Sequence, residues 1–180
     1  MAFVSNIHDI LLLDKIPVSI PDDQHVMVMF DIDGVTCKDK VTNLGNYDEL
    51  PREEVNRILR ECKITPQFSK TITALRQLPN VDIKFNTGRR ESMMGITQEM
   101  FDEAGLDFDV KRDVKFFPNE FKWFTDDYNI IKSKVLKEGA DEYDLSFYID
   151  DSNDLINYIN ENYKDDIENK KILPFLFKYE

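Results

Sequence analysis

Short, fully apolar runs alternate along this chain with longer segments in which apolar residues recur every three or four positions. Residues 26–30 are all apolar and are followed at once by Asp31, a pattern typical of a strand buried on both faces. The last run contains Pro174, which cannot donate to a sheet and therefore favours an edge strand. The predicted strands are residues 26–30, 81–85, 108–110, 145–149 and 172–177.

Segments with helical spacing separate these runs. Pro51 is well placed to begin a helix in which Val55, Ile58 and Leu59 share one face. The same spacing predicts helices over residues 51–62, 66–75, 91–104 and 128–138, and from residue 152 onward. Residues 1–25 are predicted to be a short helical or irregular lead-in that the prolines end. Residues 37–50 are predicted to form a loop or small hairpin, and residues 116–124 a loop.

This alternation of strands and helices predicts the fold class. Strands that alternate with helices at this spacing form an α/β domain, here a doubly wound, mostly parallel sheet with helices on both faces. A chain of 180 residues can bury one substantial core, so we expect a single domain over residues 1–180. The motifs described below fall within residues 26–160, which we expect to be its core.

Charge and composition narrow the function. The net charge of −12 argues against broad binding to nucleic acid or anionic membranes, since both need a basic surface. We see no basic leader and no apolar run that could span a bilayer, and therefore expect a cytoplasmic protein without membrane association. Cys37 and Cys62 lack the spacing of a zinc site or a disulfide framework, so we expect reduced thiols without a special role.

Carboxylates stand at the ends of two predicted strands. Asp31 and Asp33 follow the first strand, and Asp150 and Asp151 follow the fourth. Because the carboxyl ends of parallel strands meet at one edge of a sheet, we expect these side chains to converge. Carboxylates that face an anion repel it unless a cation lies between them. The pattern therefore implies bound Mg²⁺ with oxygen ligands.

One lysine lies on the apolar side of its predicted helix. At about 100° per residue, Lys132 falls on the face that carries Tyr128 and Leu136, whereas Lys134 points away. A lysine on a buried face needs anionic partners, and the converging carboxylates supply them. If Lys132 instead reached the surface along its aliphatic stem, Lys134 would be the alternative.

Taken in order, these residues resemble the motifs of the haloacid dehalogenase (HAD) superfamily of phosphoryl-transfer enzymes. The resemblance covers roughly residues 26–160. It implies a HAD-like fold, a Mg²⁺ cofactor and phosphoryl transfer through an aspartyl-phosphate. The matching segments are Asp31-Ile32-Asp33-Gly34-Val35-Thr36, then Thr87-Gly88-Arg89, then Lys132, and finally Asp150-Asp151 with Asp154.

The resemblance also implies roles for individual residues. Asp31 is similar to the nucleophile that attacks phosphorus, and Asp33 to the general acid that later becomes the base. Thr87 would hold the phosphoryl oxygens, and Lys132 would offset negative charge in the transition state. The implied metal ligands are Asp31, the backbone carbonyl of Asp33, Asp150 and, at the ion or just beyond it, Asp151.

Within the superfamily, the chain looks most like the phosphatase domain of polynucleotide kinase-phosphatases. The intervals between motifs leave no room for a large cap, so we expect an open site that admits a bulky phosphorylated substrate. Arg89, Arg90, Lys111 and Arg112 follow predicted strands and are expected to form a basic edge, next to which an aromatic side chain could stack on a base. The segments concerned are Thr87-Gly88-Arg89-Arg90-Glu91, Lys111-Arg112 and Asp126-Asp127; Trp123 and Phe124 are the candidate aromatics, and Gly88, Arg89 and Arg90 the implied substrate-binding residues.

Each motif also has an ordinary structural interpretation. Residues 31–34 do not place glycine where an EF-hand needs it, but residues 87–89 alone could be a turn, and residues 150–154 could simply cap a helix. Two functional alternatives stay open: a phosphatase for nucleic-acid ends, and a HAD-fold domain that binds Mg²⁺ without turnover. The presence of both Asp31 and Asp33 favours catalysis, because metal binding alone does not need an acid–base carboxylate.

Overall fold

The computed structural model describes residues 4–38, 49–121 and 127–180. A five-stranded sheet in the order β5-β4-β3-β6-β7 forms its centre, and every neighbouring pair in it is parallel. A separate antiparallel hairpin, β1-β2, precedes it in the chain. The strands are β1 Ile7–Leu12, β2 Ile16–Pro21, β3 Val26–Phe30, β4 Val81–Arg90, β5 Val114–Phe117, β6 Leu145–Asp150 and β7 Ile172–Leu176.

The helices begin where the local sequence supplies caps. Thr65 accepts a hydrogen bond from Phe68 N, and Pro66 takes the first helical position of one helix. Ser152 caps another helix by accepting from Leu155 N. The helices are α1 Arg52–Arg60, α2 Pro66–Leu75, α3 Met94–Glu103, α4 Val110–Asp113, α5 Asp127–Ala140, α6 Asn153–Asn162 and α7 Lys164–Glu168.

The two faces of the sheet bury different side chains of the same strands. Val28 and Phe30 point to a core that includes residues of α2, α3 and the β1-β2 hairpin. Met27 and Met29 point to the opposite face, where residues of α5 and α6 cover them. All residues of β3 are buried, because the strand lies in the middle of the sheet. The prediction of a doubly wound parallel α/β fold is confirmed.

The edge position predicted for β7 is also confirmed. β7 lies at one end of the sheet and pairs only with β6. Pro174, which has no N–H to give to a further strand, lies opposite Tyr148.

The prediction of a helical or irregular lead-in at residues 1–25 is wrong. Residues 7–21 form a hairpin in which Leu12 pairs with Ile16. Ile16, Val18 and Ile20 are buried at every second position of β2, which is the period of a strand. β1 has only six residues, and its few apolar residues fit helical spacing as well as strand alternation. The sequence alone therefore favoured the helical period over the strand period of two.

The strand predicted at residues 108–110 is also misplaced. Asp109 accepts a hydrogen bond from Lys111 N and caps the short helix α4. Strand β5 therefore begins only at Val114. β5 therefore overlaps the loop predicted for residues 116–124. β4 is longer than predicted, since it continues through residues 86–90.

The described residues between β3 and β4 form α1 and α2, and those between β4 and α5 form α3, α4 and β5. This arrangement agrees with the expectation of little or no cap for the described part of the chain. Within residues 4–38, 49–121 and 127–180, no helix is both long enough and apolar enough to cross a bilayer.

Candidate active site

The candidate site lies at the carboxyl end of β3, the central strand. β3 pairs with β4 on one side and β6 on the other. β6 ends beside it at Asp150, whereas β4 continues past this point to Arg90. Asp31 directly follows β3, and its N–H donates to Ile149 O at 2.9 Å. Thr36 Oγ1 in turn donates to Asp31 O at 2.7 Å, which fixes the backbone where the chain leaves the sheet.

Three of the four carboxylates that were predicted to converge lie together here. Asp31, Asp150 and Asp151 are all buried, and each offers an oxygen such that all three atoms lie within 4.8 Å of one another. Oxygen donors in this number and spacing fit a hard cation such as Mg²⁺. The site therefore has the donor chemistry that the HAD resemblance requires, with Asp31 and Asp150 at the ends of adjacent strands.

Lys132 is buried against two of these carboxylates. Its Nζ lies 2.7 Å from Asp150 Oδ2 and 3.1 Å from Asp31 Oδ2. Burial lowers the pKa of Lys132, but the carboxylates of Asp150 and Asp31 outweigh it and hold that pKa well above its usual range. Lys132 is therefore charged, whereas Lys134 is exposed and pairs with Glu138.

The electrostatics of Asp31 favour a further cation. Burial raises the pKa of Asp31 well above its usual range; Lys132 opposes the shift, while Asp150, Asp151 and Asp33 add to it. One ammonium thus does not balance the clustered carboxylates. A divalent cation would, which is a second physical argument that the residues fit Mg²⁺.

Asp150 is held in place on both oxygens. Tyr148 Oη and Lys132 Nζ each donate to Asp150 Oδ2 at 2.7 Å, and Ser152 N donates to Asp150 Oδ1 at 2.8 Å. Burial raises the pKa of Tyr148 and the Asp150 carboxylate adds to the shift, so the phenol keeps the proton that it donates. Ser152 caps α6 as well, so this segment both orients a carboxylate and starts a helix.

Asp33 points away from the three-carboxylate cluster. Its two oxygens accept from Arg89 Nη2 at 2.8 Å and from Arg89 Nε at 2.9 Å. Arg89 also donates to Thr97 Oγ1 at 3.1 Å, and its side chain is fully buried. Burial lowers the pKa of Arg89, but Asp33 outweighs it and the pKa rises. In this arrangement the guanidinium predicted to bind substrate binds the predicted acid–base carboxylate instead.

Thr87 and Gly88 lie in β4, beside the end of β3. Phe30 pairs with Phe85, so Thr87 is two residues beyond the last paired position of β4 with β3. Its hydroxyl accepts from Arg89 N at 3.1 Å. A Cβ at Gly88 would lie only 2.9 Å from Tyr128 Oη, so glycine makes room for that phenol.

Two tyrosines at this site were not singled out by the sequence. Tyr128 lies one helical turn before Lys132 in α5, and Lys132 Nζ lies 5.6 Å from the centre of its ring. Tyr148 lies two residues before Asp150 on the same face of β6. Helical spacing from Lys132 and strand alternation from Asp150 are the signals that could have identified them.

The predicted basic edge is not formed as expected. Lys111 and Arg112 belong to α4, which precedes β5, and therefore do not follow a strand. Arg112 pairs with Asp113 at 2.8 Å. Since Arg89 is buried, the four predicted cations do not lie along one exposed edge. Trp123, Phe124 and Asp126 fall outside the described residues.

Comparison with known proteins identifies the fold. No protein-family model matches the chain, and no curated protein sequence matches it. Solved structures do match: one in the Pnkp1/Rnl/Hen1 RNA repair complex is 17% identical with a TM-score of 0.59, over 87% of this chain and 43% of that one. The HAD domain of effector protein Lem4 from Legionella pneumophila is 15% identical with a TM-score of 0.55, over 86% of this chain and 88% of that one.

The chain thus spans less than half of the RNA-repair protein that it matches. At these identities the likeness concerns the fold alone. The HAD-like fold inferred from the four motifs is confirmed, and a chain of the Pnkp1 complex shares this fold.

Proposed function

We propose that this protein is a Mg²⁺-dependent phosphomonoesterase that forms an aspartyl-phosphate on Asp31. The observation that carries the proposal is the position of Asp31: it directly follows the central strand, contacts a buried ammonium, and shares a cluster with two further carboxylates. A nucleophilic carboxylate needs such surroundings, since it must approach an anionic phosphoryl group without repelling it.

In this proposal Asp31, Asp150 and Asp151 would hold Mg²⁺, with the backbone carbonyl of Asp33 as a further ligand. When bound, the ion would offset the charge of the phosphoryl oxygens. The Asp31 carboxylate attacks phosphorus, and the bond to the leaving oxygen breaks as the Asp31–phosphorus bond forms. Water then hydrolyses the aspartyl-phosphate and restores the carboxylate.

Residues around Asp31 stabilise this transfer. Lys132 bridges Asp31 and Asp150, so its charge lies where negative charge accumulates. The Thr87 hydroxyl and the backbone N–H groups near Gly88 would donate hydrogen bonds to the phosphoryl oxygens. Arg90 would contact the remainder of the substrate. Burial of the cluster strengthens each of these interactions.

Asp33 is the proposed acid that protonates the leaving oxygen and the base that activates water. Both of its oxygens accept from Arg89 in the structure. The carboxyl group must therefore loosen this pairing to exchange a proton with the substrate. We assign Arg89 the role of positioning Asp33, in place of the direct substrate contact expected from the sequence.

The decisive experiment compares Asp31→Asn with an exposed control, Asp107→Asn. Hydrolysis of an aryl phosphate with Mg²⁺ should fall by about 10³-fold or more in Asp31→Asn and persist in the control. Circular dichroism checks that both variants fold. Undiminished hydrolysis by Asp31→Asn overturns the assignment of the nucleophile. If the protein binds Mg²⁺ but hydrolyses no compound in a broad panel of phosphate esters, the result would favour a HAD-fold domain that binds Mg²⁺ without turnover.

A narrower candidate function is a phosphatase for nucleic-acid ends. The structural match to the RNA-repair chain over most of this molecule favours it, as does the small size of the described insertions around the site. The test compares phosphate release from a 3′-phosphorylated oligonucleotide, its 5′-phosphorylated isomer and an aryl phosphate. Equal rates on all three would rule out specificity for an end.

A further inference from the structure

A second cluster of metal-ligand side chains lies beside the proposed active site. Cys37 Sγ lies 3.7 Å and Cys62 Sγ 3.9 Å from the same oxygen, Asp33 Oδ1. The two sulfurs and a carboxylate oxygen all lie within 4.8 Å of one another. Spacing along the chain does not reveal this cluster, because the two cysteines belong to different segments of the chain.

The backbone holds the cluster together. Cys37 forms isolated bridges with Asp33 and with Ile64, so the chain after β3 is paired with the segment after α1. Cys37 N also donates to Ile32 O at 3.1 Å. Cys62 N donates to Leu59 O at 3.1 Å, in the turn that ends α1. Both cysteines are buried, so the two sulfurs face Asp33 from fixed backbone positions.

We propose that Asp33, Cys37 and Cys62 form a second metal site, selective for a thiophilic divalent cation such as Zn²⁺ or Cd²⁺. Four-coordinate zinc, with bonds of about 2.3 Å to sulfur and 2.1 Å to oxygen, separates two sulfurs by about 3.8 Å and sulfur from oxygen by about 3.6 Å. The sulfur–oxygen distances in the structure, 3.7 and 3.9 Å, already lie close to this value. Small side-chain rotations would therefore complete the site, with water as the fourth ligand.

The charges also balance in this site. Two thiolates and a carboxylate carry three negative charges, which a divalent cation and the adjacent Arg89 guanidinium neutralise together. Asp33 Oδ1 faces both sulfurs and also accepts from Arg89 Nη2, while Oδ2 accepts from Arg89 Nε. A carboxylate oxygen has two lone pairs, so a metal at Oδ1 would use the one that Arg89 does not. The metal can thus bind Oδ1 while Arg89 stays paired with the carboxylate. No charge is left uncompensated in the buried surroundings.

The two clusters differ in the metals that they favour. Thiolate ligands select zinc or cadmium, whereas an all-carboxylate cluster suits magnesium. Asp31, Asp150 and Asp151 would accordingly keep Mg²⁺ while the thiol cluster takes the softer ion. Asp33 is the residue that links them, because it is the proposed acid and base of the reaction.

The functional consequence rests on the proposed phosphatase activity. An Asp33 carboxylate bound to zinc cannot exchange protons with the leaving group or with water. Zn²⁺ should therefore inhibit hydrolysis, and added Mg²⁺ should not relieve the inhibition, since the two ions occupy different sites. The cluster would make the enzyme sensitive to thiophilic metals.

Metal binding can be tested without any assay of activity. The full chain is titrated with Cd²⁺, and the ultraviolet absorption of cadmium–thiolate bonds is followed. We expect saturation at one equivalent, loss of the band in both Cys37→Ser and Cys62→Ser, and its retention in Asp150→Asn. Cys62→Ala serves if either serine variant fails to fold. A missing band in the wild type, or a band unchanged in the folded cysteine variants, overturns the proposal.

Inhibition assays then separate this inference from the proposed function. If the protein hydrolyses phosphates, Zn²⁺ should inhibit it equally at low and high Mg²⁺. Relief by Mg²⁺ would place Zn²⁺ at the Asp31 cluster and overturn the inhibitory role. If the protein hydrolyses nothing but still gives the cadmium band, the phosphatase proposal fails while the metal site stands.

Discussion

At the scale of single residues, Gly34 determines whether the carboxylates can approach one another. Its φ of +85° lies in a region that other residues rarely adopt. A Cβ at this position would lie 2.3 Å from Asp151 Oδ2 and 2.7 Å from Asp151 Cγ. The sequence shows a glycine after Asp33, but only the fold shows that Asp151 fills the space that glycine leaves.

We therefore predict that Gly34→Ala weakens Mg²⁺ binding. In the wild type, Mg²⁺ should raise the midpoint of thermal unfolding, because it binds only the folded state. The rise should be largely lost in Gly34→Ala, since the new methyl group displaces Asp151. Gly105→Ala is the matched control: Gly105 also has a positive φ, of +69°, but no atom lies within 4 Å of its added Cβ. An equal Mg²⁺ response in both variants would contradict the prediction.

Tyr128 extends the site beyond the residues that the HAD motifs supply. Lys132 Nζ lies 5.6 Å from the centre of its ring. Burial raises the pKa of Tyr128 and outweighs the opposing effect of Lys132, so the phenol keeps its proton. A protonated phenol can donate its hydrogen, here next to Gly88, where the phosphoryl oxygens are proposed to bind.

Tyr128→Phe should consequently lower kcat by about tenfold, the worth of one hydrogen bond made in the transition state. KM should change little, because the ring still packs against Phe117 at a centroid distance of 5.1 Å. Tyr143→Phe is the control, since that hydroxyl donates to Asp82 on an exposed part of the chain. A change in KM alone would mean that the phenol binds substrate without acting in the transfer.

At the scale of elements, the sequence predicts best where periodicity is unambiguous. The apolar runs of β3 and β6 lie buried in the sheet, and the helices predicted from residues 66 and 152 begin directly after their caps, Thr65 and Ser152. Short elements were misassigned: β1 has too few residues to distinguish the two periods, and the cap at Asp109 converts a predicted strand into α4. Tertiary contacts decide such segments, because local preference is nearly balanced.

The hairpin illustrates this tertiary control. Leu13 N donates to Thr71 Oγ1 at 2.8 Å, which ties the turn of the hairpin to α2. Leu12 is fully buried, whereas Leu11, its neighbour in β1, is 52% exposed. The two leucines point to opposite faces of the same strand, so only one of them contributes to the core.

Replacing these leucines tests whether the hairpin is part of the core. Leu12→Ala should lower the free energy of unfolding by about 2–5 kcal/mol, as expected for a buried leucine that leaves a cavity. Leu11→Ala should change it by about 0.5 kcal/mol or less. Chemical denaturation of both variants provides the measurement. A similar small loss in each would show that the hairpin folds independently of the sheet.

At the scale of the whole molecule, the sequence could predict which residues meet but not how they pair. Asp31, Asp150 and Lys132 were placed together because parallel strand ends converge and Lys132 lies on a buried helix face. The pairing of Arg89 with Asp33 depends on side-chain conformations, and the meeting of Cys37 with Cys62 depends on how the chain returns after α1. Neither follows from periodicity.

The net charge of −12 gives the last prediction, which concerns the salt dependence of any activity on nucleic-acid ends. Several cations near the sheet are already paired, as when Lys84 and Arg112 share Asp113. A polyanionic strand is therefore repelled by most of the surface. Added salt should screen this repulsion, so kcat/KM for a 3′-phosphorylated oligonucleotide should stay level or rise between about 0.05 and 0.2 M salt.

A protein that binds nucleic acid through many phosphate contacts behaves in the opposite way and loses about 10³-fold or more in affinity over that range. Rates are compared at constant Mg²⁺, with an aryl phosphate as the control for effects on the chemical step. A steep fall for the oligonucleotide alone would contradict the prediction. It would mean that cations concentrated beside Asp31 outweigh the acidic surface and guide the strand to the site.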